Sequence, residues 1–364
     1  MPPGRCPLHR RCYAAVTAAC QSPTRGLGET VWSALPGGTF SFGSDRFYSE
    51  EGPPHRAKVS AFWVDVHPVT NAQFARFVQA TGYVTQAEQG IDAQAAPDLP
   101  DPLRVPGAMV FKQGAQVLRP GWQFVAGANW RHPLGPGSHW HDRANHPVVQ
   151  VTLRDAQAYA RWAGRTLPSE AQLEYAMRGG LQDADFSWGT AERPNGNPMA
   201  NTWQGQFPYH NQALDGFTGT SPVGCFVANG FGLFDAGGNV WELTRSGYRP
   251  GHDEARDAAL DPTGPALGDS YDPVQPGTPV VVIKGVHTCA RRMPACATGL
   301  RHGSRRRCTW QRLMWGFGRC GQLRPTEAAQ LACRLCQPLG RTADLVHIER
   351  GEAQAQGIFA VAER

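Results

Sequence analysis

A chain of 364 residues that is 41% hydrophobic can bury a sizeable core, as one large domain or as two average ones. Its 42 Gly, 30 Pro and 11 Trp favour long, turn-rich, aromatic-anchored loops and exclude a simple helix bundle. The net charge of +5 excludes a nucleic-acid-binding reading of the whole chain: Gly285 to Arg341 holds eleven Arg, no Lys, no Asp and one Glu (Glu327), a net of +10, which leaves −5 for the rest.

The N-terminal "MPPGRCPLHRRCYAAVTAACQSP" contains no apolar stretch long enough for a secretory signal, and no run of eighteen apolar residues predicts a membrane span. The expectation is a soluble, cytoplasmic protein without nucleic-acid or membrane partners, with a flexible leader over 1–29. "VWSALPGGTFSFGSD" (Val31 to Asp45) predicts a hairpin turning at its Pro-Gly-Gly. "RAKVSAFWVDVHPVT" alternates and predicts a strand ending at His67-Pro68. Thr70 then caps a helix with Phe74, Phe77 and Val78 on one face and Gly82 as its stop. Ala87 to Arg143 reads as loop. Thr152 caps a second helix that stops at Gly164, and Ser169 with Gln172 forms the capping box of a third that stops at Gly179-Gly180. Regular structure is then sparse until "PVVVIK" (Pro279 to Lys284), a buried strand by composition.

Chemistry-bearing patterns are few. Of ten Cys, six (Cys289, Cys296, Cys308, Cys320, Cys333, Cys336) follow Gly285, three (Cys6, Cys12, Cys20) lie in the leader and Cys225 stands alone between, with no paired zinc spacing. The His residues show no HExxH; His132 and His146 precede prolines and read as hydrogen-bonded structural groups. Two Gly-rich loops offer hard oxygens: Asn201 and Asp215 in one, Asp235 and Glu242 in the other. Ca²⁺ wants six to eight such oxygens, from carboxylates, Asn and backbone carbonyls. Neither loop is an EF-hand, and turn-capping Asn and Asp is the competing reading.

Longer stretches say more. "PGGTFSFGSD", "EEGPPHRAKVSAFWVDVHPVTNAQFARFVQATGYVTQAE", "NHPVVQVTLRDAQAYARWAGRTLPSEAQLEYAMRGG", "ANTWQGQFP" and "NGFGLFDAGGNVWELT" resemble the formylglycine-generating enzymes, or sulfatase-modifying factors, from about Trp32 to Lys284. The resemblance implies one α/β (α+β) domain over 30–284, low in regular secondary structure and related to the C-type-lectin-like fold. It implies an oxidoreductase that uses O₂ to convert a cysteine thiol, within Cys-x-Pro-x-Arg of an unfolded sulfatase polypeptide, to Cα-formylglycine. It also implies two structural Ca²⁺ sites. One would take the Asn201 side chain, the Thr202 carbonyl, the Asp215 side chain and the Phe217 carbonyl. The other would take Asp235, the Gly238 and Val240 carbonyls and Glu242, although family members often carry Asn where this chain has Asp235.

The family binds Cu(I) through two cysteines of a C-terminal Cys-x4-Cys motif, and soft thiolates suit that ion. This chain has instead Cys289-x6-Cys296; Cys289 is only a positional stand-in for the first catalytic cysteine. The genetic code accounts for the difference. Each residue sets, or nearly sets, the first two bases of its codon. Codons built from the last base of one residue and the first two of the next can spell, from Gly285, Gly-Ser-Tyr-Leu-Cys-Ala-Pro-Asp-Ala-Cys-Leu-Arg-Tyr-Arg-Pro-Ala-Ala-Arg. That is the family motif with its spacing; wobble bases are free in this reading and middle bases are not. Loss of one G near the Lys284-Gly285 junction would produce it. Residues 285–364 are therefore expected to be a frameshifted, poorly ordered, irregular tail, and the chain as written to be inactive. The alternative is a non-catalytic, lectin-like binding module of the same superfamily.

Overall fold

The computed structural model describes residues 20, 26, 30–46, 49–94, 100–113, 117, 120–253, 260–273, 277, 279–285, 354–355 and 361–363. Alternation near the N-terminus produces β1 (Trp32–Leu35), β2 (Gly38–Phe42), β3 (His55–Val59) and β4 (Phe62–Asp65). The expected hairpin at Pro36-Gly37-Gly38 is not what forms: β1 pairs antiparallel with β4, and β2 with β3. The registers Leu35↔Phe62 and Gly38↔Val59 belong to one alignment, kinked where Pro36-Gly37 passes Ser60-Ala61. The chain thus reverses over 43–54. Gly37 permits the kink: its φ is 73°, and a Cβ there would stand 2.6 Å from Val59 O and Ser60 C.

The three long helices start where their caps predict. In α1 (Asn71–Thr81), Thr70 and Gln73 bond reciprocally, and Gly82 ends the helix at φ 67°. The short α2 (Gln86–Gln89) follows, tied by Glu88, which accepts from the Thr85 backbone at 3.0 Å. The segment read as loop between Ala87 and Arg143 contains a six-rung hairpin instead, β5 (Gly107–Lys112) with β6 (Gly121–Ala126). Its apolar alternation is diluted by Gln, Lys and Gly, and cross-strand packing such as Phe111 against Trp122 supplies what local pattern lacked. Then come β7 (Val151–Thr152), α3 (Leu153–Trp162) and α4 (Glu170–Arg178), whose Ser169–Gln172 box is present. After α4 regular structure is sparse: β8 (Gly205–Gln206) and β9 (His210–Asn211) make a small hairpin, and β10 (Trp241–Gly247) pairs with the expected strand β11 (Val281–Gly285). Within the expected tail, β12 (Gln354–Ala355) pairs with β7, and β13 (Val361–Glu363) pairs with β4.

Two large apolar clusters make most of the core among the described residues, with two smaller ones beside them. One packs the β1–β4 ladder (Leu35, Phe40, Val59, Phe62) onto α4 (Leu173, Ala176) and onto Leu233 and Phe234. The other joins α1 and α3 through Phe74, Phe77 and Tyr159 to Trp130, Leu243 and Ile283. Strand β11 lies at the junction and is buried along its whole length, with Val281 and Ile283 in the second cluster and Val282 against Tyr248. Every residue of α4 is buried too, including Glu170, Glu174 and Arg178. Burying charge requires partners, and Lys284 of β11 is one of them.

Candidate functional site

The two oxygen-rich loops come together in the fold. Asn201 is almost fully buried; its Nδ2 donates to Gly219 O (2.9 Å) and to Asn239 Oδ1 (3.3 Å), which leaves its Oδ1 without a donor. Asp215 turns back on the same loop. Its Oδ2 accepts from the Thr202 backbone (2.9 Å) and from Gln204 Nε2 (2.7 Å), and its Oδ1 from the Phe217 backbone (3.0 Å). These contacts gather Thr202, Asp215 and Phe217 beside Asn201.

The second loop holds Asp235 at φ 54°, with both Asp235 and Glu242 buried. Asp235 Oδ2 accepts from Gly224 N at 2.8 Å; Asp235 Oδ1 and both Glu242 carboxylate oxygens have no donor. Burial raises the Asp235 pKa to about 7 against the opposing Gly224 N–H, and burial together with the Asp235 charge raises Glu242 well above the usual range. Gly238, at φ 100°, packs so tightly that a Cβ would stand 2.7 Å from Asn201 O. The adjacent Asn239 bolts the loops together: its backbone N donates to Asn201 O (2.8 Å), its Nδ2 donates to Ser221 O (3.1 Å), and its Oδ1 accepts from Ser221 N (3.0 Å).

Two buried carboxylates, with three of their four oxygens undonated, are a costly arrangement that a divalent cation relieves. The residues fit Ca²⁺: hard oxygens, Asn, Asp and Glu side chains, and turns that expose carbonyls. Among the described residues no three His, Cys, Asp or Glu side chains cluster as a metal site; each candidate set has one or two acids and draws its other oxygens from Asn and the backbone. Cu(I) is different. It prefers soft thiolates, of which the family resemblance implies a pair, and the two described cysteines, Cys20 and Cys225, are bonded to each other. Cys289 lies outside the described residues.

Sequence reading missed a second cluster, behind β11. Lys284 is 1% exposed, and its Nζ meets Glu174 Oε2 at 2.7 Å and Glu170 Oε1 at 3.1 Å. Glu174 Oε1 accepts from Arg178 (2.5 Å) and from Gly43 N (3.0 Å), and His252 Nε2 stands 3.5 Å from Glu170. Burial works to raise the Glu174 pKa, but Lys284 and Arg178 outweigh it and hold the carboxyl at about 2. A signal existed: Glu170, Glu174 and Arg178 recur every fourth residue on one helix, and Lys284 closes an otherwise apolar strand. The expected structural histidines are so placed. His132 Nδ1 bonds Ser138 O at 2.7 Å and His146 Nδ1 bonds Thr220 Oγ1 at 2.9 Å; burial, helped by Arg143, lowers His146 to about 3.

Both clusters fasten β11. Glu242 pairs in register with Lys284 and Trp241 with Gly285, and Gly285 abuts Val240 O, where a Cβ would lie 3.1 Å away. The family described as the sulfatase-modifying factor enzyme 1-like domain matches residues 18–312. The formylglycine-generating enzyme of Mycobacterium tuberculosis is 52% identical over 267 residues, covering 70% of this chain and 86% of that one. The Mus musculus protein named inactive C-alpha-formylglycine-generating enzyme 2 is 42% identical over 228 residues, covering 61% of this chain and 70% of that one. The solved structure of PvdO from Pseudomonas aeruginosa aligns with TM-score 0.50 at 24% identity over 75% of this chain and 86% of its own, a likeness of fold. With its mixed small sheets, its few capped helices and a family match over most of its length, the chain belongs to the sulfatase-modifying factor, or formylglycine-generating enzyme, family.

Proposed function

We propose that the gene of this chain encodes a formylglycine-generating oxidoreductase, which uses O₂ to oxidise the cysteine of Cys-x-Pro-x-Arg in an unfolded sulfatase to Cα-formylglycine, and that the chain as written lacks its two Cu(I)-binding cysteines. One observation carries the reading: with suitable wobble bases, the codons permitted from Gly285 onward, taken one base out of step, can spell a Cys-x4-Cys motif in the family's own context. Copper, when bound by such a pair, supplies the O₂ chemistry; the described residues offer no free thiol pair to hold it.

The residues that remain would support that chemistry from below. Asn201, Thr202, Asp215 and Phe217 would hold one structural Ca²⁺, and Asp235, Gly238, Val240 and Glu242 a second. The undonated buried oxygens of Asn201, Asp235 and Glu242 support both assignments. The second ion and the Lys284–Glu174 pair together would anchor β11, the strand from which the reactive segment departs. A non-catalytic, lectin-like binding role for the chain as written is the second reading, favoured by its 42% identity to the Mus musculus relative named inactive.

The test compares the chain as written with a version in which one G is restored at the Lys284–Gly285 codons, each incubated with Cu(I), O₂ and a Cys-x-Pro-x-Arg peptide. Aldehyde captured by a hydrazide is expected only from the restored version. Normal turnover by the chain as written, or none by either, overturns the reading.

A further inference from the structure

Gln204 reaches into the first candidate Ca²⁺ site, and the ligand set implied by the family resemblance does not include it. It is 4% exposed, and its Nε2 donates to Thr202 O at 2.5 Å and to Asp215 Oδ2 at 2.7 Å, with Thr202 Oγ1 at 3.2 Å. Thr202 O and Asp215 Oδ2 are two of the oxygens proposed for the ion. The amide nitrogen therefore stands in for a cation, its two N–H bonds directed at oxygens that a Ca²⁺ would approach to about 2.3–2.6 Å. Donor and ion cannot share that position.

The carboxamide has a second face. A half-turn about its last side-chain bond would direct Oε1, a hard neutral oxygen, at the ion. Little holds Oε1 where it now is: its contact with the Asp215 backbone N spans 3.4 Å, at the outer limit of a hydrogen bond. The backbone pivot, by contrast, is held fast, with Gln204 N donating to Asn211 Oδ1 at 3.1 Å and Gln204 O accepting from Gln212 N at 2.6 Å. We infer that Gln204 can serve this loop with either face of its carboxamide: its amide nitrogen bridges Thr202 and Asp215 as the structure shows, and after a half-turn its amide oxygen joins Asn201, Thr202, Asp215 and Phe217 around a bound Ca²⁺. The inference rests on the Ca²⁺ reading of this loop.

The experiment titrates the metal-free full chain with Ca²⁺ by calorimetry and with Tb³⁺ by luminescence sensitised through Trp203, the residue between Thr202 and Gln204. Wild type, Gln204→Leu and Gln204→Glu are compared, and Tm in EDTA reports folding of each. Leu keeps the bulk and removes the oxygen, so the affinity of the first site falls by about tenfold or more. Glu keeps an oxygen and adds charge, so affinity rises; this variant decides the matter if Gln204→Leu does not fold. Equal or tighter binding by folded Gln204→Leu, or no tightening by Gln204→Glu, overturns the inference and leaves the Ca²⁺ reading standing. A wild-type chain that binds no Ca²⁺ overturns both.

Discussion

Lys284→Met is the most informative single perturbation of the scaffold. Lys284 and Arg178 are the two cations on Glu174, a carboxylate with 0% side-chain exposure. Burial acts to raise that carboxyl, so holding it at about 2 instead of 4.5 corresponds to a net gain of about 3 kcal/mol at neutral pH once Lys284 and Arg178 have overcome the burial cost. Removing Lys284 takes the 2.7 Å donor from Glu174 Oε2 and leaves a desolvated charge, for which the expected total loss is about 3–5 kcal/mol. Urea unfolding at pH 7 measures it. The double variant Glu174→Gln with Lys284→Met should cost less than the sum of the two single variants, because the two sites interact directly, while Arg178 and Glu170 each still lose a partner. The pH sign is also determined. A lowered carboxyl pKa stabilises above the unfolded value, so wild-type stability should fall as pH drops from about 4.5 to about 2, and Glu174→Gln should flatten that limb. A loss below about 1 kcal/mol for Lys284→Met, with the acid limb unchanged in Glu174→Gln, would refute this account of the cluster.

The buried carboxylates of the second proposed cation site predict the opposite pH limb. In chelator, Asp235 is protonated in the folded state up to about 7 but only to 3.8 when unfolded, so its contribution is lost as pH rises through that window, by about 4 kcal/mol, and added Ca²⁺ should abolish the fall in thermal melts. Asn239→Ala removes the contacts to Asn201 and Ser221 and should cost about 1–3 kcal/mol while weakening Ca²⁺ binding in calorimetry. Cys225→Ser opens the disulfide to Cys20 and should lower stability by about 2–5 kcal/mol under oxidising conditions and by little in a reducing buffer. A reducing cytoplasm would leave that bond open as well.

Local chemistry was enough to locate the helices. Thr70, Thr152 and Ser169 accept orphan N–H groups within one turn, and Gly82 and Gly179 take the left-handed stop, so neither end depends on the rest of the fold. The same holds for β11, whose unbroken apolar run signals burial on both faces. Family membership was legible for a similar reason: long motifs such as "NGFGLFDAGGNVWELT" constrain turns, packing and candidate ligands together.

Strand pairing was not local. Pro36-Gly37-Gly38 has the composition of a reversal, yet Gly37 serves as a kink against Ser60, because the partner that selects its conformation lies some twenty residues away in sequence. The β5–β6 hairpin was hidden by polar residues that only cross-strand contacts make tolerable. Sequence could name Asn201, Asp215, Asp235 and Glu242 as oxygen ligands; only the folded chain shows Asn239 joining their loops, three buried oxygens of Asp235 and Glu242 left without hydrogen-bond donors, and Gln204 bridging Thr202 and Asp215. The physical reason is common to all three. Propensity and capping act over a few residues, whereas the desolvation that makes an unpaired carboxylate meaningful exists only after distant segments have closed over it.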